Sequence, residues 1–202
     1  MQFQVSFDFN PCPSEPDDYL CPFTVDILCW NSDTDERVLG GRIKGYDLDL
    51  FRVQGIGRGV WDVFDAHSGD LEYVGTTLLT DDGELREELS DDFVSRLMLI
   101  DDVVLHPTLH PCERFILDHV STLFSEDSVL VLWKSQALVA EKELAQMGFQ
   151  KIADAEAIFF RLNMLKHEYD ASQDIAIAEG LEVPADAGTY IEDLWRKKFS
   201  PG

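Results

Sequence analysis

Leu97-Met98-Leu99-Ile100-Asp101-Asp102-Val103-Val104-Leu105 is an apolar, β-branched run one strand long. It continues through His106-Pro107-Thr108-Leu109-His110-Pro111-Cys112 into Glu113-Arg114-Phe115-Ile116-Leu117-Asp118-His119-Val120, where the apolar spacing becomes helical. After an acidic turn at Ser125-Glu126-Asp127, Ser128-Val129-Leu130-Val131-Leu132-Trp133 is apolar again. Strand, helix and strand with short joints make a βαβ unit, so the two strands are predicted to run parallel. Such units carry function where the first strand enters the helix, here His106 to Glu113.

The chain has 202 residues, 45% of them hydrophobic and 11% aromatic, enough for one packed domain. The expected division is residues 1–162 as the domain and 163–202 as an acidic helical tail. No apolar run has the length of a membrane span, and Met1 to Phe9 lacks a basic start followed by an apolar segment. The expectation is therefore a cytoplasmic protein with no membrane contact. Cys12, Cys21, Cys29 and Cys112 show no CxxC spacing and read as free thiols, with a disulfide or zinc site as the alternative. The formal charge is −23. That repels nucleic acid and argues against direct binding to it. It fits either solubility or a salty cytoplasm, or an acidic surface that captures a basic partner or imitates a polyanion.

Phe3, Val5, Phe7 and Phe9 alternate on one face of a first strand, Gln2 to Phe9. A proline-rich loop follows, Asn10 to Pro22. Phe23 to Trp30 and Arg37 to Val53 read as a hairpin, with Gly40, Gly41 and Gly45 marking a bulge or bend in its second strand. Gly55-Ile56-Gly57-Arg58-Gly59 lacks the spacing of a phosphate loop and reads as a flexible helix entry. Helical spacing runs from Val60 to Thr80, interrupted at Ser68-Gly69, and Glu84 to Phe93 reads as a short acidic helix. Gln136 to Met147 reads as a helix closed by Gly148. Phe149 to Ile152 and Ala157 to Leu162 read as a last hairpin turning near Asp154-Ala155-Glu156. In the tail, Ser172 to Glu179 and Thr189 to Lys198 read as helices. Ile191, Leu194 and Trp195 form a small apolar stripe that either packs back on the domain or meets a partner.

The order of elements from Phe23 to Leu162 resembles the GNAT superfamily of acyl-CoA N-acyltransferases. Three places carry the resemblance: the strand LMLIDDVVLHP from Leu97, the helix from Cys112 to Phe124, and LAQMGF from Leu144 to Phe149, which is similar to the family ending YxxLGF. Asp65-Ala66-His67-Ser68 with the acidic stretch after it also resembles a group of bacterial GNAT-like proteins. The resemblance implies an α/β fold with a mixed sheet, N-terminal antiparallel strands and a short helical tail. It implies acetyl-CoA held at Val103, Leu105, His110, Cys112, Glu113, Arg114 and Phe115, with Asp101 or Asp102 as catalytic base. Asp65, His67, Ser68, Trp133 and Lys134 would then shape the acceptor side of the cleft.

The family loop, R/Q-x-x-G-x-G/A, points backbone amides at two phosphates, and glycines allow the close approach. Here the basic position is His110, Pro111 has no amide hydrogen, and Glu113 and Phe115 replace the small residues. Arg114 is the fixed positive charge beside them, with Arg58 and Lys134 as further candidates for phosphate. The family's proton-donating tyrosine corresponds to Leu144. Alternation along a strand predicts that Asp101 and Asp102 face opposite sides, so that at most one meets substrate. Each loss costs on the order of 1–3 kcal/mol of ligand affinity. Acetyl-CoA binding is therefore expected to be weak.

His106, His110, Cys112 and His119 lie within fourteen residues, but prolines and the helix separate them, so no metal site is expected. Asp65, His67 and Ser68 have the residue types of a hydrolytic triad without its spacing. Trp133 reads as core or as a stacking surface. Two expectations of function follow. One is a GNAT-related protein with weakened acyl-CoA chemistry that acts as an acidic interaction or regulatory module for a basic protein. The other is a working N-acetyltransferase acting on a cationic amine.

Overall fold

A computed structural model describes residues 1–55, 57, 59–90, 94–133, 137–153, 155, 157–163 and 172–199. Among these residues seven strands form one mixed sheet: β1 (Gln2–Phe7), β2 (Leu20–Asn31), β3 (Glu36–Asp49), β4 (Arg96–Leu105), β5 (Ser128–Trp133), β6 (Gln150–Lys151) and β7 (Ile158–Leu162). Their order across the sheet is β1-β2-β3-β4-β5-β7-β6. β4 and β5 are parallel and every other pairing is antiparallel. The parallel pair is joined by α4 (Glu113–Thr122), as the βαβ reading predicts.

Alternation along the strands fills two cores, one on each face of the sheet. Val25, Ile27, Ile43, Met98, Ile100, Leu130 and Leu132 pack against Ile116, Leu117 and Val120 of α4. Each of those helix side chains contributes about 1.5–3 kcal/mol by leaving water. On the other face, Leu48, Leu97, Leu99, Val129 and Val131 meet α1 (Leu50–Gly55), α2 (Val60–His67) and α3 (Gly69–Leu78). Ser68 breaks the last two helices apart. Its extended backbone carries a hydroxyl that accepts from Leu71 N at 3.3 Å and caps α3.

The second hairpin strand ends at Asp49, four residues before Val53, because Asp49 accepts from Arg52 N and starts α1. Residues 84–90 are not helical. Leu85 bridges Leu79 antiparallel, around a turn in which Gly83 takes φ +80°. Phe93 lies outside the described residues. α5 (Glu141–Gln146) begins later than the sequence pattern suggests, where the Glu143 carboxylate accepts from Ala140 N. It ends as expected at Gly148, with φ +83°.

The tail holds α6 (Ser172–Glu179), on the face of α4, and α7 (Ala187–Phe199). Asn31 donates to Val183 O at 2.6 Å where the chain rounds the end of β2. α7 then lies along β3 on the opposite face. There Arg42 reaches Glu192 at 3.1 Å and stacks on Trp195. The tail thus packs back on the sheet, with Ile191 buried. Among the described residues no helix is long and apolar enough to cross a membrane.

Candidate functional site at the end of β4

β4 and β5 stay in register from Arg96 opposite Ser128 to Ile100 opposite Leu132, and their pairing stops there. On the other side of β4, Gly45 stands opposite Ile100 but Lys44 stands opposite Asp102, so Asp101 is an extra residue. Such a bulge bends the strand and shifts its side-chain alternation by one. The core records the shift: Met98 and Ile100 face α4, and so does Leu105, five residues further on. Asp101 and Asp102 therefore do not face opposite sides. Both turn to the face that carries α7, Asp101 to Lys44 Nζ at 3.2 Å and Asp102 to Lys198 Nζ at 2.5 Å.

Asp102 is buried, and burial raises its carboxyl above the ordinary value while Lys198 opposes the rise. Its second oxygen meets no hydrogen-bond partner among the described residues. Burial works against the charge of Lys44, but the Tyr46 hydroxyl and Asp101 outweigh it and hold the ammonium above its ordinary value. Tyr46 in turn meets His67, with Nε2 3.1 Å from the phenol oxygen. Burial, then the nearby Lys44, pushes the imidazole below 6.5, which favours the neutral form at pH 7. His67, Tyr46, Lys44 and Asp101 make one connected polar set on that face.

Past the bulge, the edge of β4 that β5 has left borders a cleft of about 500 Å³. Val103, Leu105, His110, Glu113 and Leu138 line one side, and Tyr190, Leu194, Lys197 and Lys198 of α7 line the other. A cleft of this size at the carboxyl end of parallel strands is the usual place for a ligand in an α/β sheet.

The joint into α4 is a tight 3₁₀ turn, Pro107–Cys112. Thr108 N bonds the His106 ring, Leu109 N bonds His106 O at 2.8 Å, and Glu113 N bonds His110 O. Pro107 and Pro111 lack an N–H, and these bonds engage the Thr108, Leu109 and Glu113 amides within the turn. Glu113 is buried, and its carboxylate accepts from Leu138 N at 2.8 Å, tying the head of α4 to the segment after β5. Arg114 lies between Glu143 at 3.6 Å and Asp174 at 3.7 Å. Phe115 stacks on His119, and Cys112 is buried with its thiol pushed up by desolvation. Leu144 is fully buried in the core beneath α5.

Of the expected acceptor residues that are described, His67 alone joins the aspartate-bearing face. Asp65 sits on the exposed side of α2, Ser68 serves as a cap, and Trp133 is half-buried against Tyr73. Lys134 and Arg58 lie outside the described residues. Sequence reasoning missed Lys44, Tyr46 and Lys198. The first two sit two apart on a strand, a spacing that puts both on one face. Lys198 has no such signal, because only the docking of α7 brings it to β4. All four cysteines are free thiols. Among the described residues no group of three or more His, Cys, Asp or Glu side chains is disposed to hold a metal ion. Compared with known proteins, the chain matches no family model, no curated protein and no solved structure.

Proposed function

We propose that this chain is a divergent member of the GNAT superfamily whose acyl-CoA chemistry is weakened, and that its acidic surface engages a basic protein. The mixed sheet, the parallel β4–β5 pair and their separation after Ile100 are compatible with the resemblance seen in the sequence. The observation that carries the functional reading is the turn before α4. Its Thr108, Leu109 and Glu113 amides bond within the turn, its prolines lack donors, and the adjacent Arg114 faces two carboxylates. These amides and the Arg114 guanidinium are already engaged, which weakens the turn itself as a seat for a diphosphate. Lysines neutralise both strand aspartates, so neither is a free base.

A second reading, a working N-acetyltransferase acting on a cationic amine, draws on the cleft and on His67. A cleft of about 500 Å³ with Lys197 and Lys198 on its wall suits an anionic ligand, and a neutral imidazole suits proton transfer. Equilibrium dialysis against acetyl-CoA, with a polylysine capture assay alongside, separates the two. The module reading expects no retained acetyl-CoA and capture that weakens steadily with salt. Retained acetyl-CoA together with N-acetylation of an added amine such as spermidine establishes the enzyme.

A further inference from the structure

β1 ends the sheet, and among the described strands it pairs only with β2. Open edges usually carry charge, proline or a bulge to prevent pairing with another chain. β1 has none of these. Residues 1–7, Met-Gln-Phe-Gln-Val-Ser-Phe, contain no charged side chain in a protein of formal charge −23, and the β1–β2 register is unbroken. Apolar side chains flank the edge: Phe7 is 50% exposed, Met1 39%, Leu123 40% and Ile175 41%. Beside it runs a groove of about 330 Å³ between β1, α4 and α6, lined in part by Phe3, Phe115, Leu123 and Ile175.

The backbone fixes which groups point outward. Asp8 N donates to Pro22 O at 2.9 Å, so residue 8 turns its backbone toward β2. In an antiparallel ladder this alternates. Gln2, Gln4 and Ser6 therefore turn inward as well, and Phe3, Val5 and Phe7 present N–H and C=O to the open edge.

We propose that β1 is a self-association edge, on which a second copy of this chain adds its own β1 antiparallel across a two-fold axis. Two strongly acidic copies repel wherever their charged surfaces meet, and an edge without acidic side chains is where they approach at least cost. Outward-pointing residues must face one another in such a pair. The register that does this and seats aromatic against aromatic puts Val5 on the axis. Phe3 then stands opposite the partner's Phe7, and Gln4 opposite the partner's Ser6. Phe3 packs toward α4, so the partner's Phe7 lies on the same side and enters the groove beside it.

The test is the light-scattering mass of the full chain at about 100 µM, a concentration at which a micromolar complex is formed. A dimer of twice the 22.9 kDa chain mass is expected, and added salt strengthens it by screening the repulsion. Phe7→Lys raises the dissociation constant by at least about tenfold, the loss of one well-packed contact, with an unchanged circular dichroism spectrum. In a Cys12→Ser, Cys21→Ser background, Gln4→Cys with Ser6→Cys forms a covalent dimer on mild oxidation. Facing residues of that type lie about 4.5 Å apart at Cα, within disulfide reach. A wild type that stays monomeric at high salt overturns the proposal. So does a dimer that Phe7→Lys leaves intact, or an edge that takes an added extended peptide while the chain remains single. Cross-linking through Gln4→Cys alone overturns the register.

Discussion

Lys198, near the end of the last helix, places its ammonium 2.5 Å from the carboxylate of Asp102, in the middle of the sheet. The contact joins the tail to the bulge that opens the cleft. It also gives the buried carboxylate a counter-charge. Asp102 is 3% exposed at its side chain and Lys198 is 41%, so the cost of losing the pair falls on the acid.

Lys198→Met leaves Asp102 buried without that ammonium. Burial already raises the folded-state value of Asp102 above its ordinary 3.8, so its ionisation opposes folding. Asp102's favourable share is complete below 3.8 and fades as pH rises through the raised value. The variant's deficit therefore vanishes at acid pH, where Asp102 is protonated with or without the lysine, and grows to about 1–2 kcal/mol at pH 7. That is less than a fully buried pair loses, because Lys198 is partly in water. Urea unfolding of wild type and variant across this range checks it; a deficit independent of pH contradicts it.

His67 is predicted to titrate below 6.5, because burial and then Lys44 disfavour its charged form. Its lowered value contributes stability above pH 6.5 that is lost as pH falls through the folded-state midpoint. The ring-proton NMR shift reads that midpoint directly. Lys44→Met moves it upward by removing a positive charge; an unmoved midpoint separates His67 from the Lys44–Asp101 pair.

Gly45 is needed for the packing of β3 against both neighbours. A Cβ there stands 2.3 Å from Leu99 O and from the Phe23 ring. Gly45→Ala is expected to cost about 3 kcal/mol or more, since backbone cannot give way as a flexible side chain does. Calorimetry checks this. A change below about 0.5 kcal/mol, the size of a neutral surface substitution, contradicts the close approach.

The parallel strands and α4 are legible in the sequence because apolar residues change from a continuous run to helical spacing and back. α6 shows the same bounds in both, Ser172–Glu179. The bulge at Asp101 is not legible, since two adjacent acids on a strand read as simple alternation. It lies beside Gly45 of β3, where Phe23 and Leu99 close in. The helix expected from Glu84 does not form. Leu85 and the fully buried Leu89 gain more by folding over α3 than the short acidic segment gains from its own hydrogen bonds. Charge count marks the surface as acidic but gives no hint that Lys197 and Lys198 collect at the cleft.

If the proposed function holds, the turn before α4 does not hold a diphosphate. A melting curve with and without millimolar acetyl-CoA tests it most directly, because a ligand that binds only the folded chain must raise the midpoint as its excess grows. An unchanged midpoint is expected. A rise that scales with acetyl-CoA concentration and disappears in Arg114→Ala contradicts it.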